Sequence, residues 1–287
     1  MLAALFVALQ YILPQHLLTA LIWRIARIRH VAIKDFLIAR FVHLFDVDID
    51  EVKLNVPADF ATFNDFFVRE LNDDARPVDA GDDVIVSPVD GTVSMADVIR
   101  DGSLIQAKGL EYTLSDLLAT DLDQARAYTN GMFATIYLAP YNYHRVHAPL
   151  DGEIVAARYV PGDLFSVNEA TVARVDGLFR RNERLVLHFK TARGPAVLIF
   201  VGALNVGSIT TPWTGELKPR KRGVVDVPHL SQQSTTVKKG DLLGWFNMGS
   251  TVIMLLPAEV CEWDGDLQPG ATLRVGEAIG QLSGSAR

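Results

Sequence analysis

Cysteine is almost missing from this sequence: Cys261 is the only one among 287 residues. A single cysteine excludes an internal disulfide and a cysteine-rich metal cluster. An excess of positive charge is missing too, since the net charge is −7 and the pI is about 5.5. That balance argues against a nucleic-acid partner. The zinc motif H-E-x-x-H is also absent, so we predict no metal site.

A long uninterrupted apolar run is lacking as well. Residues 1–23 contain no Lys, Arg, Asp or Glu, but Pro14, Gln15 and His16 interrupt them. A membrane span needs about 20 predominantly apolar residues. A secretory signal would begin with positive charge, whereas here the basic residues follow the apolar run. The pattern therefore favours helices that lie in a membrane interface over a span or a signal peptide.

The basic residues are concentrated near the N-terminus. Residues 1–45 sum to +4, and the rest of the chain carries −11. We predict one helix over roughly 1–13 and a second from about Leu17 to Phe45, with a break near His30. An apolar, basic helical segment of this kind is suited to an anionic membrane surface. The alternative is a helical pair packed on its own domain.

Beyond residue 50 the sequence consists mainly of short β-like runs separated by turn signals. Thr62–Asp65 is typical of a capped helix start, and one short helix is predicted near Leu114–Ala119. We predict a mainly β (α+β) protein, with a barrel- or sandwich-like body at 46–287 and N-terminal amphipathic, membrane-associating helices at 1–45. The predicted strands are Val84–Val86, Thr92–Met95, Phe133–Leu138, Glu153–Val160, Arg184–Phe189, Ala196–Val201, Leu204–Ile209 and Thr251–Leu256.

Two stretches carry groups that exchange protons. Asp90 lies at an Asp-Gly turn between two predicted strands, and His144 and His147 lie three residues apart within Tyr143–Pro149. Taken alone, the carboxylate is more typical of a hairpin turn, and the histidines are more typical of a surface or a strand edge. No cysteine ligand accompanies the histidines, so a metal site is not favoured.

A third stretch, Phe246–Val252, contains Gly249 followed by Ser250. A serine after glycine can present its hydroxyl to the preceding carbonyl, because glycine leaves that carbonyl open and tolerates strained backbone. The dipeptide by itself is not specific, since Gly-Ser occurs three more times in the chain. With Asp90 and His147, the serine permits an Asp–His–Ser arrangement, although spacing alone does not require one.

Longer matches point to a known family. The matching stretches are Tyr11–His16, Thr62–Arg69, Gln106–Gly109, Tyr143–His147, Tyr159–Asn168, Arg181–Arg184 and Gly249–Ile253. On these stretches the chain closely resembles the bacterial type I phosphatidylserine decarboxylases over almost its whole length. Met248 departs mildly from the leucine or valine that commonly precedes Gly-Ser-Thr in that family. Gly215–Lys239 matches less well, and we assign it no function.

The resemblance implies a precursor that cuts itself between Gly249 and Ser250. Asp90, His147 and Ser250 would form the charge relay for this reaction, in which His147 takes the serine proton and Asp90 orients the imidazole. Ser250 would then become a pyruvoyl group. The products would be a large and a small chain, residues 1–249 and 250–287.

The resemblance also implies the cofactor and the partners. The pyruvoyl group derived from Ser250 would bind the amine of phosphatidylserine through a Schiff base and release carbon dioxide and phosphatidylethanolamine. His144 is a candidate proton donor in this second reaction. The large and small chains would form a heterodimer, with a higher oligomer left open. The enzyme would be peripheral on the cytoplasmic face of the cell membrane, where its lipid substrate lies.

Two other functions are compatible with the same residues. One is a membrane-associated serine hydrolase that uses Asp90, His147 and Ser250. Such an enzyme would be expected to carry a G-x-S-x-G turn, and no second glycine follows Ser250 at that spacing. The other is a non-enzymatic, carrier-like barrel module, which would need a modifiable lysine on an exposed hairpin. Either protein would remain a single intact chain.

Overall fold

The computed structural model of the chain describes residues 2–107, 109–120, 125–205, 208–230, 234–249 and 251–283. Strands form most of the body and helices lie mainly at the N-terminal end, which confirms the predicted mainly β class. The helices are α1 Leu2–Ile12, α2 Gln15–Ala26, α3 Val31–Phe45, α4 Phe63–Phe67, α5 Leu114–Leu118, α6 Glu169–Val172 and α7 Leu178–Arg181.

The strands follow the predicted runs closely, with one correction. Leu204–Ile209 was predicted as one strand, but Leu204 and Asn205 lie in a turn where Asn205 has a φ of 71°. Residues 206–207 lie outside the described residues. The strands are β1 Val84–Val86, β2 Gly91–Val98, β3 Ser103–Ala107, β4 Leu110–Thr113, β5 Met132–Tyr137, β6 Arg145–His147, β7 Gly152–Val160, β8 Arg184–Thr191, β9 Gly194–Val201, β10 Ile209–Thr211, β11 Gly215–Leu217, β12 Thr236–Val237, β13 Leu242–Phe246, β14 Thr251–Leu256, β15 Cys261–Trp263, β16 Thr272–Leu273 and β17 Ala278–Leu282.

An eight-stranded antiparallel sheet, curled into a half-barrel, forms the centre of the body. Its strand order is β12-β7-β8-β9-β14-β5-β2-β16. β14 lies in the middle, and all six of its residues are buried. It pairs with β9 on one side and β5 on the other, so that Thr251 lies opposite both Val201 and Tyr137. A short apolar run buried on both faces accounts for the sequence of this strand.

A smaller sheet lies beside the large one, with the order β11-β10-β13-β6. β13 and β14 are consecutive in sequence but belong to different sheets. The chain therefore changes sheet between Phe246, the last residue of β13, and Thr251, the first residue of β14.

The N-terminal segment forms three helices, which agrees with the predicted break near His30. Pro14 precedes α2, and α1 and α2 meet at an angle of 93°. Among the described residues, no single helix is long and apolar enough to cross a membrane, although this bent pair meets the length and composition criteria when taken together.

The first two helices contact the body through polar side chains. Gln10 and Gln15 accept hydrogen bonds from the backbone nitrogens of Ser166 and Leu164, at 2.7 and 2.9 Å. Thr19 accepts one from the backbone nitrogen of Asn205 at 3.2 Å. The outward faces are apolar instead. The exposed side chains recur at helical spacing, namely Leu5, Leu9 and Ile12 on α1 and Leu17, Leu21 and Ile25 on α2.

An aromatic cluster joins α3 and α4 to the crossing between the sheets. Thr62 caps α4 by accepting a hydrogen bond from the nitrogen of Asp65, as its sequence predicts. The ring of Phe41 on α3 lies 5.1 Å from Phe63 and 5.8 Å from Phe67 in edge-to-face contacts. Met248 packs against the same cluster. The helices therefore support the connection between β13 and β14 directly.

Glu183 is a completely buried carboxyl group in the body. The hydroxyl of Tyr159 donates to its Oε2 at 2.6 Å, while Oε1 has no hydrogen-bond partner within the described chain. Burial raises the pKa of Glu183 to about 8, although the Tyr159 hydrogen bond and the charge of Arg220 oppose the increase. The folded protein therefore holds this side chain in its neutral form at pH 7.

We expect Glu183→Gln to change how stability depends on pH. The raised pKa of Glu183 means that its contribution is fully present below about pH 4.5 and is lost as the pH rises to about 8. Over this window the wild type should lose up to about 1.4 kcal/mol per pH unit relative to the variant. Urea unfolding of both proteins across the window measures the difference. Equal slopes would show that Glu183 is ionised in the folded protein.

Candidate active site

The connection between β13 and β14 has a strained backbone. Met248 and Gly249 both adopt positive φ angles, of 88° and 41°. A left-handed conformation costs a residue with a side chain about 1–2 kcal/mol, whereas glycine adopts it freely. The sequence predicted a glycine that tolerates an unusual backbone conformation here, but it did not predict the strain at Met248.

Ser250 itself lies outside the described residues, so its predicted role is not tested by side-chain geometry. The residues on either side of it, Gly249 and Thr251, have defined positions. Gly249 ends the crossing, and Thr251 is fixed in the central sheet between Val201 and Tyr137. The hydroxyl of Thr251 is buried and has no hydrogen-bond partner among the described residues.

His144 is the histidine that lies against Gly249. A Cβ atom placed on Gly249 would lie only 3.6 Å from Nε2 of His144. The imidazole is fully buried, and its ring centre lies 4.1 Å from that of Phe67. Neither ring nitrogen has a hydrogen-bond partner in the described chain. Burial, and then the charge of Arg69, lower the pKa of His144 to about 3, so the ring is neutral at pH 7.

His147 has a different environment. Its Nδ1 donates to the carbonyl of Gly240 at 2.7 Å, and its Nε2 accepts from the hydroxyl of Tyr143 at 3.1 Å. Burial is the largest cause of a lowered pKa for His147, and the nearby charge of Asp90 opposes it in part. Both nitrogens are therefore occupied, one by a backbone carbonyl and the other by a phenol.

Asp90 is held by an arginine that the sequence analysis did not identify. Nε and Nη2 of Arg76 donate to the carboxylate at 2.9 and 2.6 Å, and the backbone nitrogen of Val275 donates to it at 2.9 Å. Arg76 also pairs with Glu51 at 2.9 Å. Within the part of the chain that the structure describes, no hydrogen bond joins Asp90 to His147. The structure thus places His144 against Gly249, whereas the predicted relay of Asp90, His147 and Ser250 remains a prediction.

A cavity of about 460 Å³ lies beside Gly249 and beside Phe67, whose ring contacts that of His144. The aromatic rings of α3 and α4 make an apolar part of its wall, and hydroxyl and amide side chains contribute a polar part. The lining residues are Phe41, Phe45, Phe67, Tyr137, Leu138, Pro140, Ser166, Val167, Asn168, Ala203, Leu204, Asn205, Met248 and Gly249. Such a pocket suits a ligand that is partly polar and partly apolar.

A buried hydrogen-bond chain positions the crossing and links it to α2. Asn247 receives a hydrogen bond from Asn64 at 3.0 Å and donates to Ser208 at 2.8 Å. The Ser208 hydroxyl donates to Glu216 at 2.6 Å. The same Glu216 oxygen accepts from the indole of Trp23, on α2, at 3.0 Å. Asn64 falls in a stretch matched by sequence, but Glu216 lies in the segment to which no function was assigned.

Metal ligands do not gather near this site. Among the described residues, no group of three or more His, Cys, Asp or Glu side chains could hold a metal ion.

Comparisons with known proteins agree with the resemblance found in the sequence. A family model described as phosphatidylserine decarboxylase matches residues 63–281, and another, described as PSD, matches residues 5–46. The phosphatidylserine decarboxylase proenzyme of Alcanivorax borkumensis is 46% identical over 277 residues, which cover 96% of this chain and 95% of that protein. The proenzyme of Psychromonas ingrahamii is 43% identical over 268 residues, covering 93% and 94%.

The chain therefore belongs to the phosphatidylserine decarboxylase family and is a carboxy-lyase. The resemblance is confirmed, and a decarboxylase replaces the serine hydrolase and the carrier module as the class of protein.

We expect the His144 imidazole to stay neutral from neutral pH down to about pH 4, because its pKa is lowered to about 3. Histidine-selective NMR measures this titration, and His144→Phe identifies the signal by its loss. The lowered pKa also means that His144 contributes stability above about pH 6.5 that is lost as the pH falls. A midpoint near 6.5 would contradict the buried, neutral state.

Proposed function

We propose that this enzyme converts phosphatidylserine into phosphatidylethanolamine and carbon dioxide. We further propose that it uses a pyruvoyl group made from Ser250 when the chain cuts itself after Gly249. One observation carries the proposal. The strained crossing ends at Gly249, directly against a buried, neutral histidine and beside a cavity with apolar and polar walls. The names of the relatives, which are proenzymes, support a processed chain.

The proposed cleavage begins with loss of the Ser250 hydroxyl proton to a neutral imidazole. The hydroxyl oxygen attacks the Gly249 carbonyl, and the peptide bond becomes an ester as the nitrogen takes up a proton. Removal of the α-proton of residue 250 then expels the carboxylate of Gly249. Addition of water and loss of ammonia leave a pyruvoyl group at the start of the small chain. The positive φ at Met248 favours this reaction, because cleavage after Gly249 would release the strain there.

The proposed base for cleavage is His147, assisted by Asp90, on the strength of the resemblance. The hydroxyl of Tyr143 donates to Nε2 of His147, so this nitrogen would exchange that partner for the Ser250 hydroxyl before it takes the proton. Arg76 would keep Asp90 in position through its paired hydrogen bonds. Arg76 is therefore a positioning residue in this proposal.

The residues around position 250 suit a pyruvoyl group. Among the described residues, neither the ring nitrogens of His144 nor the buried Thr251 hydroxyl has a hydrogen-bond partner there. When formed, the group supplies a carbonyl that binds the substrate amine and accepts the electrons left by carbon dioxide. The neutral His144 ring would pass a proton from one nitrogen to the α-carbon while its other nitrogen takes one up, and the aromatic wall of the cavity would exclude water from the reacting atoms. The polar wall, with Ser166 and Asn168, would orient the headgroup.

The proposed heterodimer follows from the place of β14 in the sheet. Cleavage after Gly249 would put β14–β17 on the small chain. β14 pairs on both sides with strands of the large chain, and β17 pairs with β1. The small chain would therefore stay bound without a covalent link.

The proposed site of action is the cytoplasmic face of the cell membrane. The outward faces of α1 and α2 are apolar, and their polar faces bind the body, which is the reverse of a helix that covers a soluble core. Ile12 is 79% exposed at the bend between them. A peripheral enzyme with this surface would place its cavity near the lipid headgroups.

We expect purified protein to consist of two chains of roughly 27 and roughly 4 kDa, in proportion to their lengths. Ser250→Ala should give one chain without decarboxylase activity, because no hydroxyl is available for attack. Ser103→Ala, at another Gly-Ser pair, is the matched control and should be cleaved. Intact mass should show a small chain lighter by one ammonia than a peptide that begins with serine. An intact wild type that decarboxylates phosphatidylserine would exclude the pyruvoyl mechanism.

We expect the two histidines to separate by function. His147→Ala should accumulate precursor because the base for cleavage is lost. His144→Ala should still be cut, at least in part, but should turn over about 10²–10⁴-fold more slowly per pyruvoyl group. Pyruvoyl content and carbon dioxide release, measured on one sample, give this ratio. If His144→Ala blocks cleavage instead, its contact with Gly249 makes it the base for the first reaction.

A further inference from the structure

A second cavity, of about 270 Å³, lies at the bend between α1 and α2. It shares no lining residue with the cavity at Gly249. The segment 163–168 separates the two, since Asp163 and Phe165 line the second cavity and Ser166, Val167 and Asn168 line the first. The lining of the second cavity comprises Gln10, Tyr11, Leu13, Pro14, Gln15, His16, Leu17, Asp163, Phe165, Arg181 and Lys221.

The cavity lies within the most exposed apolar part of the helical pair. Tyr11, Ile12 and Leu17 surround the bend and are 53%, 79% and 66% exposed. On a membrane these side chains would enter the boundary between headgroups and acyl chains. The cavity would then face the layer that holds the lipid phosphates.

The charged groups of the cavity favour an anion. Arg181 and Lys221 bring two positive charges against one negative charge from Asp163. Lys221 is exposed and forms no ion pair within the described residues. Neither cation belongs to the basic segment 1–45. The body of the protein, acidic as a whole, thus places two cations where the helices meet it.

Arg181 is oriented for bidentate binding. Its guanidinium lies over the ring of Phe165 at 4.8 Å and over that of Tyr11 at 5.6 Å. The one ion pair that it forms with a described residue, Asp163, is long at 3.4 Å. Stacking fixes the plane of the guanidinium while most of its N–H donors stay available. A planar, stacked arginine of this kind matches the oxygens of a phosphate.

We propose that this cavity binds the phosphate of an anionic phospholipid other than the substrate molecule. The proposal rests on the membrane association argued above and deepens it. Gln10 and Gln15 line the cavity and also hold the backbone of Ser166 and Leu164. A lipid held here would therefore fix the segment that forms one wall of the reaction cavity.

The decisive experiment uses variants that keep the charge. Arg181→Lys retains one positive charge but loses the fork of donors, and Arg24→Lys makes the same change on the exposed surface of α2, away from the cavity. Binding is measured by co-sedimentation with phosphatidylcholine vesicles, with and without phosphatidylglycerol. We expect Arg181→Lys to lower binding to the anionic vesicles several-fold and Arg24→Lys to leave it unchanged. Lys221→Gln, which changes an exposed side chain, should lower it about fivefold.

Several results would overturn the proposal. Equal binding by Arg181→Lys and the wild type would mean a diffuse surface charge without a site. Displacement from vesicles by inorganic phosphate, at matched ionic strength, would mean a site for free phosphate. A raised KM for phosphatidylserine in neutral micelles, with no other lipid present, would assign Arg181 to the substrate. We expect that KM to be unchanged. Decarboxylation by the wild type in those micelles tests the proposed function separately.

Discussion

The pairing of β14 with β9 and β5 is the constraint on which the rest of the site depends. Backbone pairing with strands on both sides fixes Thr251, the first residue of β14. On the other side of the crossing, four hydrogen bonds fix Asn247. Its side chain accepts one from Asn64 and donates to the hydroxyls of Ser208 and Thr210, and its backbone nitrogen donates to the carbonyl of Ser208. The short segment between these two anchors has to absorb the change of sheet, and the positive φ angles at Met248 and Gly249 are the result.

Burial then sets the chemistry of the two histidines. His144 lies among Phe67, Arg69 and the crossing, where a positive charge is unfavourable, so the ring is neutral, and its nitrogens have no hydrogen-bond partner in the described part of the chain. His147 lies at the end of a strand, where a carbonyl and a phenol occupy its nitrogens. The two histidines are three residues apart, but His144 precedes the short strand β6 and His147 is its last residue, so their environments differ.

Local patterns in the sequence predicted local structure well. The apolar runs of β5, β9 and β14, the cap at Thr62 and the break near His30 all depend on neighbouring residues, and all are present. Contacts between distant residues could not be predicted in the same way. Arg76 and Asp90 meet because two loops pack together, and Glu216 reaches Trp23 across 193 positions of the chain. Asn205 ended a predicted strand because of its backbone conformation, which side-chain pattern does not encode.

The central place of β14 also affects how the protein can refold. Before the proposed cleavage, the strand is tethered to the sheet it completes, and its pairing closes a loop within one chain. Afterwards the same pairing requires two separate chains to meet, so folding becomes a second-order process that depends on concentration. The large chain alone would expose the edges of β5 and β9, and unpaired edges of apolar strands associate with one another. The persistence of the mature, folded protein would accordingly depend on a slow rate of unfolding more than on its ability to refold.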